Sequence, residues 1–311
     1  MATICWQRVA MSKILPGRNG LPSAIVLQGS NMRFQAAILL SAAVAIATAS
    51  AGSKTVNADT EENSFASVQE APQAGSFVIY DNLFYRGKPD TAREGLVASN
   101  IIYEGKIWPS KNDYGSLPNR AEFQATVREH IANPGPLVLD IEEMPLKGSP
   151  EIALRNLQVL TKLADWAREA APGKVVGYYG TNTLSNVPSA NPGYARELAR
   201  HVDAFFPPMY TFDDDRAKWE RRAKAAQSEA RQLDDKKPVY FYLWPQYHDR
   251  TQKHFQFIDA SYWKFQLETA RRYSNGIVLW GPSRYDWNDA TGWWTATVEF
   301  SHAVHSMQSV K

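Results

Sequence analysis

The chain of 311 residues carries 34 basic and 32 acidic side chains, a formal net charge of +2, and a single cysteine, Cys5. A chain this close to neutrality lacks the positive surface on which nucleic-acid binding depends. One cysteine excludes an internal disulfide and a zinc site built from several thiolates.

The N-terminal segment has the pattern of a secretory leader. Met32-Arg33 precedes an apolar run from Ala36 to Ala47, and Ala49-Ser50-Ala51 supplies the small residues of a cleavage site. This order predicts a signal peptide over residues 32–51, and the apolar run is too short for stable membrane insertion. We expect translation to start at Met32, with an unusually long leader over residues 1–51 as the alternative, and a secreted or periplasmic mature protein.

Cleavage after Ala51 would change the composition of the chain. It removes Cys5 and four basic residues but no acidic ones, which leaves 30 basic and 32 acidic side chains and a net charge of −2. No thiol then remains for catalysis. Residues 52–75 have few large apolar side chains and are predicted to form a flexible linker. Residues 76–311 are predicted to form one catalytic domain of the size usual for a β/α barrel.

Short apolar runs alternate with helical patterns through the rest of the chain. The strand-like runs are Phe77–Asp81, Asn100–Glu104, Leu137–Glu142, Val175–Tyr179, Ala204–Tyr210, Val239–Trp244 and Ile277–Trp280. The clearest helical pattern begins at Ser149-Pro150, where serine suits the cap and proline the first helical position. A later helix, from about Asp214 to Asp235, mixes both signs of charge and is predicted to present a solvated outer face.

Strand–helix alternation predicts a parallel sheet with helices on its faces. Periodicity alone leaves both an open doubly wound sheet and a closed barrel. An open sheet concentrates its site at one crevice, whereas here polar and aromatic residues gather at the carboxyl ends of many strands. We therefore expect an α/β fold, a distorted seven- or eight-stranded TIM-like barrel in a single domain.

The strongest local signal is the run Leu137-Val138-Leu139-Asp140-Ile141-Glu142. Because strand side chains alternate, Asp140 and Glu142 share one face with Val138, and the residues between them share the other. Two carboxylates this close titrate as a coupled pair, as glycosidases require of their acid and its partner. The alternative is that both pair with basic side chains or lie at a solvated strand end. Glu143 has the opposite parity and is expected to be a bystander.

Aromatic residues stand at the ends of four other strand-like runs. These residues are Tyr179, Tyr210, Tyr242, Trp244, Tyr247 and Trp280. Any one of them alone is more often a packing residue than a ligand contact. Together they predict a carbohydrate groove, because sugar rings stack on aromatic faces and tyrosine adds a hydroxyl for hydrogen bonding.

The ordered set of motifs resembles the hyaluronidase family of glycoside hydrolases. The similar segments, in chain order, are Ile101-Ile102-Tyr103-Glu104 with Trp108-Pro109, Leu139-Asp140-Ile141-Glu142, Gly177-Tyr178-Tyr179-Gly180, Phe206-Pro207-Pro208-Met209-Tyr210, Val239-Tyr240-Phe241-Tyr242-Leu243-Trp244 and Gly276-Ile277-Val278-Leu279-Trp280-Gly281. The order and spacing of these segments agree with those of the family from about Phe77 to Asn288. The resemblance implies a distorted, roughly seven-stranded β/α barrel.

The resemblance also implies a substrate-assisted retaining mechanism that needs no metal or organic cofactor. Glu142 corresponds to the general acid that later acts as the base, and Asp140 to the partner that stabilises the cationic ring. The other matching site residues are Tyr179 and Tyr210 around the acetamido group, Trp280 lining its pocket and Tyr103 as a substrate contact. The expected substrate is an N-acetylhexosamine-containing polysaccharide or oligosaccharide.

Several readings remain open at this point. The acidic run Asp213–Asp215 follows Tyr210 and would repel a polyanion, which disfavours hyaluronan. Chitin-like and peptidoglycan-like polymers are therefore candidate substrates beside a hyaluronan-like one. A catalytically inactive carbohydrate-binding barrel and a chitinase-like hydrolase are the alternatives to a hyaluronidase-like enzyme. His302 and His305 lie one turn apart without a visible third ligand, so no metal site is predicted.

Overall fold

Strands and helices alternate along the residues that the computed structural model describes, 77–180 and 191–308. The strands are β1 (Val78–Leu83), β2 (Val97–Ala98), β3 (Asn100–Tyr103), β4 (Leu137–Asp140), β5 (Val176–Tyr178), β6 (Tyr240–Leu243) and β7 (Gly276–Gly281). The helices are α1 (Glu104–Ile107), α2 (Arg120–Glu129), α3 (Pro150–Ala170), α4 (Pro192–Arg200), α5 (Arg216–Leu233), α6 (Ala260–Tyr273) and α7 (Trp293–Gln308). The predicted leader and linker, residues 1–75, lie outside the described residues.

The strands form two parallel sheets, one in the order β2-β1-β7-β6 and the other in the order β3-β4-β5. Every strand pair in them is parallel. The predicted α/β fold with parallel sheets is therefore confirmed. Parallel strands present all their carboxyl ends at the same edge, which is where β/α barrels build their sites.

Irregular segments join the two sheets at both of their margins. Only Ser99 separates β2 from β3, and its amide donates to the carbonyl of Asp81 in β1 at 3.0 Å. On the other side, residues 203–209 lie between β5 and β6, with parallel bridges from Phe205 to Val239 and from Phe206 to Tyr179. In the described chain, the two sheets are thus connected on one side through Ser99 and on the other through residues 203–209.

The segment predicted as the strand Ala204–Tyr210 forms only isolated bridges. Pro207 and Pro208 have no amide hydrogen to donate, so a continuous ladder cannot run through them. The segment still occupies a strand position, because the amide of Tyr242 donates to the carbonyl of Pro207 at 3.0 Å.

Side chains alternate between two buried clusters, as expected for strands covered on both faces. Val138, Tyr242 and Val278 meet between the strands in an inner cluster. Their chain neighbours, such as Leu139 and Leu279, pack in an outer cluster with the helices. Asp140 is two residues beyond Val138 in β4, so this parity directs Asp140 toward the inner side.

The helices begin where their capping residues predict. The Ser149 side chain accepts the amide hydrogen of Ile152 at 3.3 Å, and Pro150 is the first residue of α3. Asp215 caps α5, which is slightly shorter than the predicted helix from Asp214 to Asp235. Within the described ranges, no helix is both long and apolar enough to cross a membrane.

Candidate active site

The predicted site residues converge at the carboxyl ends of the parallel strands. Asp140, the last residue of β4, is paired in register with Tyr103, the last residue of β3. Tyr179 follows β5, and its amide donates to the carbonyl of Leu139 at 3.1 Å. Trp280 lies near the end of β7. Distant parts of the sequence therefore place a carboxyl group, phenols and an indole around one mouth.

Aromatic rings form a continuous wall at this mouth. The Trp280 indole Nε1 donates to the Tyr103 hydroxyl at 3.1 Å. The ring of Tyr210 is stacked on Trp280 with centroids 5.9 Å apart, and Tyr179 meets Tyr242 edge-on at 5.1 Å. The rings of Tyr179 and Tyr210, 6.1 Å apart, connect these pairs. Aromatic residues from five strand ends thus lie in contact with one another.

Tyr242 and Trp244 form the buried side of this wall. Trp244 packs edge-on against Trp280 at 4.9 Å, and its Nε1 donates to the amide oxygen of Gln246 at 2.9 Å. The Tyr242 hydroxyl accepts a hydrogen bond of 3.4 Å from Asn82. Both residues orient the partly buried rings of the wall.

Tyr247 is not brought into this group. Its ring is buried in the outer cluster, and its hydroxyl donates to Asp214. The Lys253 ammonium lies 5.0 Å from the ring centroid. The structure therefore gives Tyr247 a role in holding the loop after β6, away from the predicted groove.

Asp140 has the most unusual environment in the site. Its Oδ1 atom is buried and has no hydrogen-bond partner among the described residues. Burial raises the pKa of this carboxyl well above its ordinary value, and the charges of Glu142 and then Glu104 add to the rise. A buried carboxyl oxygen without a donor is costly, so this atom is suited to receive one from a ligand.

Glu142 lies beyond the end of its strand, because β4 stops at Asp140 instead of at the predicted Glu142. The amides of Glu142 and Glu143 donate to Oε2 of Glu104, at 3.1 and 3.2 Å, instead of to a neighbouring strand. The Glu142 side chain is exposed at the rim. Partial burial of its carboxyl, followed by the charges of Glu104 and Glu143, raises its pKa, and Arg250 opposes the rise. Because the residue is exposed, we expect solvent to keep this rise small.

Asp140 and Glu142 remain electrostatic neighbours despite the early strand end. After burial, their charges contribute to the raised pKa values of Tyr103 and Tyr179. Burial likewise raises the pKa of Tyr210 far above its ordinary range, and Tyr179 and Asp140 contribute. The phenols therefore stay protonated and can donate hydrogen bonds into the mouth at any ordinary pH.

Sequence reasoning missed two members of the site. Glu104 contacts the backbone next to Glu142, and Asn82 orients Tyr242. His248 follows Trp244-Pro245, a position from which the sequence predicts either a groove contact or a loop hydrogen bond, and its ring lies 6.0 Å from the Tyr210 ring. Glu104 directly follows Tyr103, so its position at the end of a predicted strand could have identified it as a site residue.

The acidic run that follows Tyr210 is neutralised by local pairing. Asp213 pairs with Lys218 at 2.6 Å, and Asp214 pairs with Lys253. Asp215 accepts the amide hydrogen of Lys218 as the cap of α5. Paired charges project a weaker field, so this run does not repel a polyanion as strongly as the sequence alone predicted.

No group of three or more histidine, cysteine, aspartate or glutamate side chains suited to a metal ion occurs in the described parts of the chain. His302 instead pairs with Glu94 at 3.0 Å, and Nδ1 of His305 contacts the carbonyl of Ser301 at 2.7 Å. Both histidines of α7 thus have local partners.

Comparison with known proteins gives a likeness of fold. No protein-family model matches the chain, and neither does any curated protein sequence. Among solved structures, bee venom hyaluronidase aligns with a TM-score of 0.52 at 15% identity, over 74% of this chain and 97% of that chain. A structure of bee venom hyaluronidase in complex with a hyaluronic acid tetramer gives a TM-score of 0.52 at 14% identity, over 74% and 96%. At such low identity the likeness shows the α/β fold alone, a parallel-stranded architecture of the TIM-barrel type.

A weaker match is the chitinase from Pseudoalteromonas aurantia, with a TM-score of 0.44 and 14% identity over 67% of this chain and 78% of that chain.

Proposed function

We propose that this protein is a retaining glycoside hydrolase that cleaves within an N-acetylhexosamine-containing glycan. Glu142 acts as the general acid and then as the general base, and Asp140 stabilises the reacting acetamido group. The observation that carries the proposal is the buried Oδ1 of Asp140, which has no donor among the described residues. The charge of Asp140 acts on Tyr103, Tyr179, Tyr210 and Tyr242, so this carboxyl lies among the aromatic rings of the mouth.

The acetamido group of the substrate supplies what Asp140 lacks. Its N–H is a donor of the right kind for Oδ1, and its carbonyl oxygen is a nucleophile held next to the anomeric carbon. The hydroxyls of Tyr179 and Tyr210 are protonated and hydrogen-bond to each other, so one hydroxyl hydrogen of the pair can hold that carbonyl oxygen. Two carboxyl groups with different surroundings, one buried and one at the rim, fit the division of roles that glycosidases use.

The proposed reaction has two steps. In the first, Glu142 gives its proton to the glycosidic oxygen while the acetamido carbonyl oxygen attacks the anomeric carbon, which breaks the bond to the leaving sugar. The ring formed carries a positive charge, which Asp140 stabilises through the N–H. In the second, Glu142 takes a proton from water, the water oxygen attacks the anomeric carbon, and the acetamido group is released.

The aromatic surfaces of the mouth support a carbohydrate as the ligand. Tyr103, Tyr210 and Trp280 are only partly buried, so their surfaces remain available to the C–H faces of sugar rings. The neutralised acidic run keeps uronic-acid polymers such as hyaluronan beside chitin-like and peptidoglycan-like polymers as substrates. The solved structure of bee venom hyaluronidase with a hyaluronic acid tetramer has a similar fold, which supports the same class of ligand. Secretion through the predicted leader is part of the proposal.

The direct test is reducing-end release from hyaluronan, chondroitin, chitin oligosaccharides and peptidoglycan by the full chain and its Glu142→Gln variant. We expect the variant to lose at least ~10²-fold on whichever polymer is cleaved, the usual scale for losing a general acid. Glu143→Gln is the matched control, because it changes the same kind of side chain one residue away and should retain activity.

The mechanism is tested on the polymer that is cleaved. Substrate assistance predicts no cleavage of the de-N-acetylated polymer, and a first product that keeps the anomeric configuration by proton NMR. Equal activity of Glu142→Gln and wild type would remove Glu142 from the mechanism. Binding of a panel member without cleavage by the wild type would instead support the inactive carbohydrate-binding barrel.

A further inference from the structure

Glu104 makes an unusual contact between two strand ends. It is the first residue of α1, directly after β3, and its carboxylate Oε2 accepts the backbone amides of both Glu142 and Glu143. The two distances, 3.1 and 3.2 Å, are those of ordinary N–H···O hydrogen bonds. One carboxylate oxygen thus joins the end of β3 to the loop that carries Glu142.

This contact replaces the strand ladder at the point where the ladder ends. Up to Asp140, β4 is held by pairing with β3 and β5. Past Asp140 the chain has left the ladder, and the Glu104 carboxylate holds it through a charged acceptor, which makes stronger hydrogen bonds than a carbonyl. Ile141, between the two acidic residues, is buried in the outer cluster and anchors the same turn from the other side.

The charge of Glu104 also acts on the acidic pair. The groups that face Glu142 are Glu104 from the start of α1, Asp140 from β4, its neighbour Glu143, and Arg250 from the loop after β6. After burial, Glu104 is the largest cause of the raised pKa of Glu142, and Arg250 partly cancels it. A general acid benefits from such a neighbour, since it stays protonated to higher pH.

Glu104 itself is only partly buried and keeps some counter-charge. Burial raises its pKa and the charge of Glu143 adds to the rise, while the two backbone hydrogen bonds and the charge of Lys111 oppose it. The two amides that donate to Oε2 stabilise the ionised form of Glu104.

We propose that Glu104 is the positioning residue of this site, and that its carboxylate fixes the backbone from which Glu142 reaches the glycosidic oxygen. The inference rests on the proposed function for its effect on turnover. It has a second consequence that does not depend on turnover, because the negative charge of Glu104 favours the protonated form of Glu142.

The kinetic test compares Glu104→Gln with Glu104→Ala on the glycan that the wild type cleaves. Glu104→Gln keeps an oxygen that accepts both amides but loses the charge, so kcat at the optimum stays near that of the wild type. The basic limb of its pH profile moves to lower pH. Glu104→Ala loses the acceptor too, and kcat falls by roughly 10- to 100-fold, the scale of small misplacements of a catalytic group, with little change in KM.

Glu143→Gln is the control for this pair. Its side chain is exposed and accepts neither hydrogen bond, so kcat at the optimum is retained. A Glu104→Ala variant with the wild-type kcat, or a Glu104→Gln variant with an unchanged pH profile, would overturn the corresponding half of the proposal.

An activity-independent measurement separates this inference from the proposed function. The side-chain carboxyl carbons of glutamate are labelled with ¹³C, the Glu142 signal is identified by its loss in Glu142→Gln, and its titration is followed by NMR. In Glu104→Gln the Glu142 midpoint falls by at least about 0.3 unit, because a like charge has been removed. An unchanged midpoint refutes the electrostatic role of Glu104, and a lower midpoint supports it. Both results hold even if the protein cleaves no glycan.

Discussion

Asp140→Asn is expected to make the protein more stable and inactive. The substitution keeps the shape of the side chain and replaces a carboxyl, whose Oδ1 has no partner among the described residues, with a neutral amide. The amide oxygen of asparagine would be just as buried, so the two proteins differ in the cost of an ionisable group alone. Each pH unit between the ordinary pKa and the raised pKa of Asp140 costs the wild type about 1.4 kcal/mol of unfolding free energy. We therefore expect Asp140→Asn to have the higher unfolding free energy at neutral pH, and to lose the stabilisation of the acetamido group.

The difference in unfolding free energy between Asp140→Asn and the wild type should increase as pH rises. In the unfolded chain Asp140 ionises near its ordinary pKa of about 3.9, whereas in the folded chain burial raises the pKa well above that value. Between the two values the folded state binds more protons, so the wild type loses stability as pH rises. The amide side chain of the Asp140→Asn variant cannot titrate, so the variant does not lose stability in this way. The two proteins are closest in stability at pH values below the ordinary pKa of Asp140, about 3.9.

Urea unfolding at a series of pH values, followed by tryptophan fluorescence, measures this difference. Asp286→Asn is the control with the opposite sign, because the hydrogen bond to Arg86 holds the pKa of Asp286 below its ordinary value. A difference between Asp140→Asn and wild type that stays constant or shrinks as pH rises would refute the assignment of a raised pKa to Asp140.

Three further outcomes are expected. Gly177→Ala places a Cβ 2.6 Å from the Phe206 ring and from a backbone oxygen, so overpacking lowers the unfolding free energy by about 1 to 3 kcal/mol in urea denaturation. Trp280→Phe removes the hydrogen bond to Tyr103 and lowers kcat/KM on the cleaved glycan by about tenfold. Ser149→Ala removes the cap of α3 and costs about 1 kcal/mol by the same denaturation assay.

Each of these three substitutions has a control variant or an outcome that would contradict the prediction. Gly193 in α4 has open space where a Cβ would be added, so Gly193→Ala should keep or raise stability and a loss there would contradict the packing argument. Trp294→Phe replaces an indole in α7, outside the aromatic wall, and should leave kcat/KM unchanged. Equal stability of Ser149→Ala and wild type would mean that the cap of α3 contributes nothing measurable.

Much of the fold could be predicted from local pattern. Strand alternation correctly predicted Val138 on the inner side and Leu139 on the outer side, because a period of two is imposed by the backbone itself. The cap at Ser149 was also readable, since a single side chain and its own helix suffice to make it. Local chemistry explains these successes.

The misses have a different physical origin. The strand ends at Asp140 because the Glu104 carboxylate competes for the amides that follow, and that contact joins residues 38 positions apart. Tyr247 turns outward to Asp214 for a similar reason, since Lys253 and the loop after β6 decide its direction. Pairings of this kind depend on how the loops meet in space, which no periodicity encodes.

The most direct measurement of the central claim is a crystal structure of the protein soaked with a thiazoline analogue of N-acetylglucosamine, which mimics the cyclised intermediate. The account predicts the thiazoline nitrogen within hydrogen-bonding distance of Oδ1 of Asp140, about 3 Å, with Glu142 beside the anomeric carbon and the sugar against Trp280. A sugar bound elsewhere, or one whose nitrogen points away from Asp140, would contradict it.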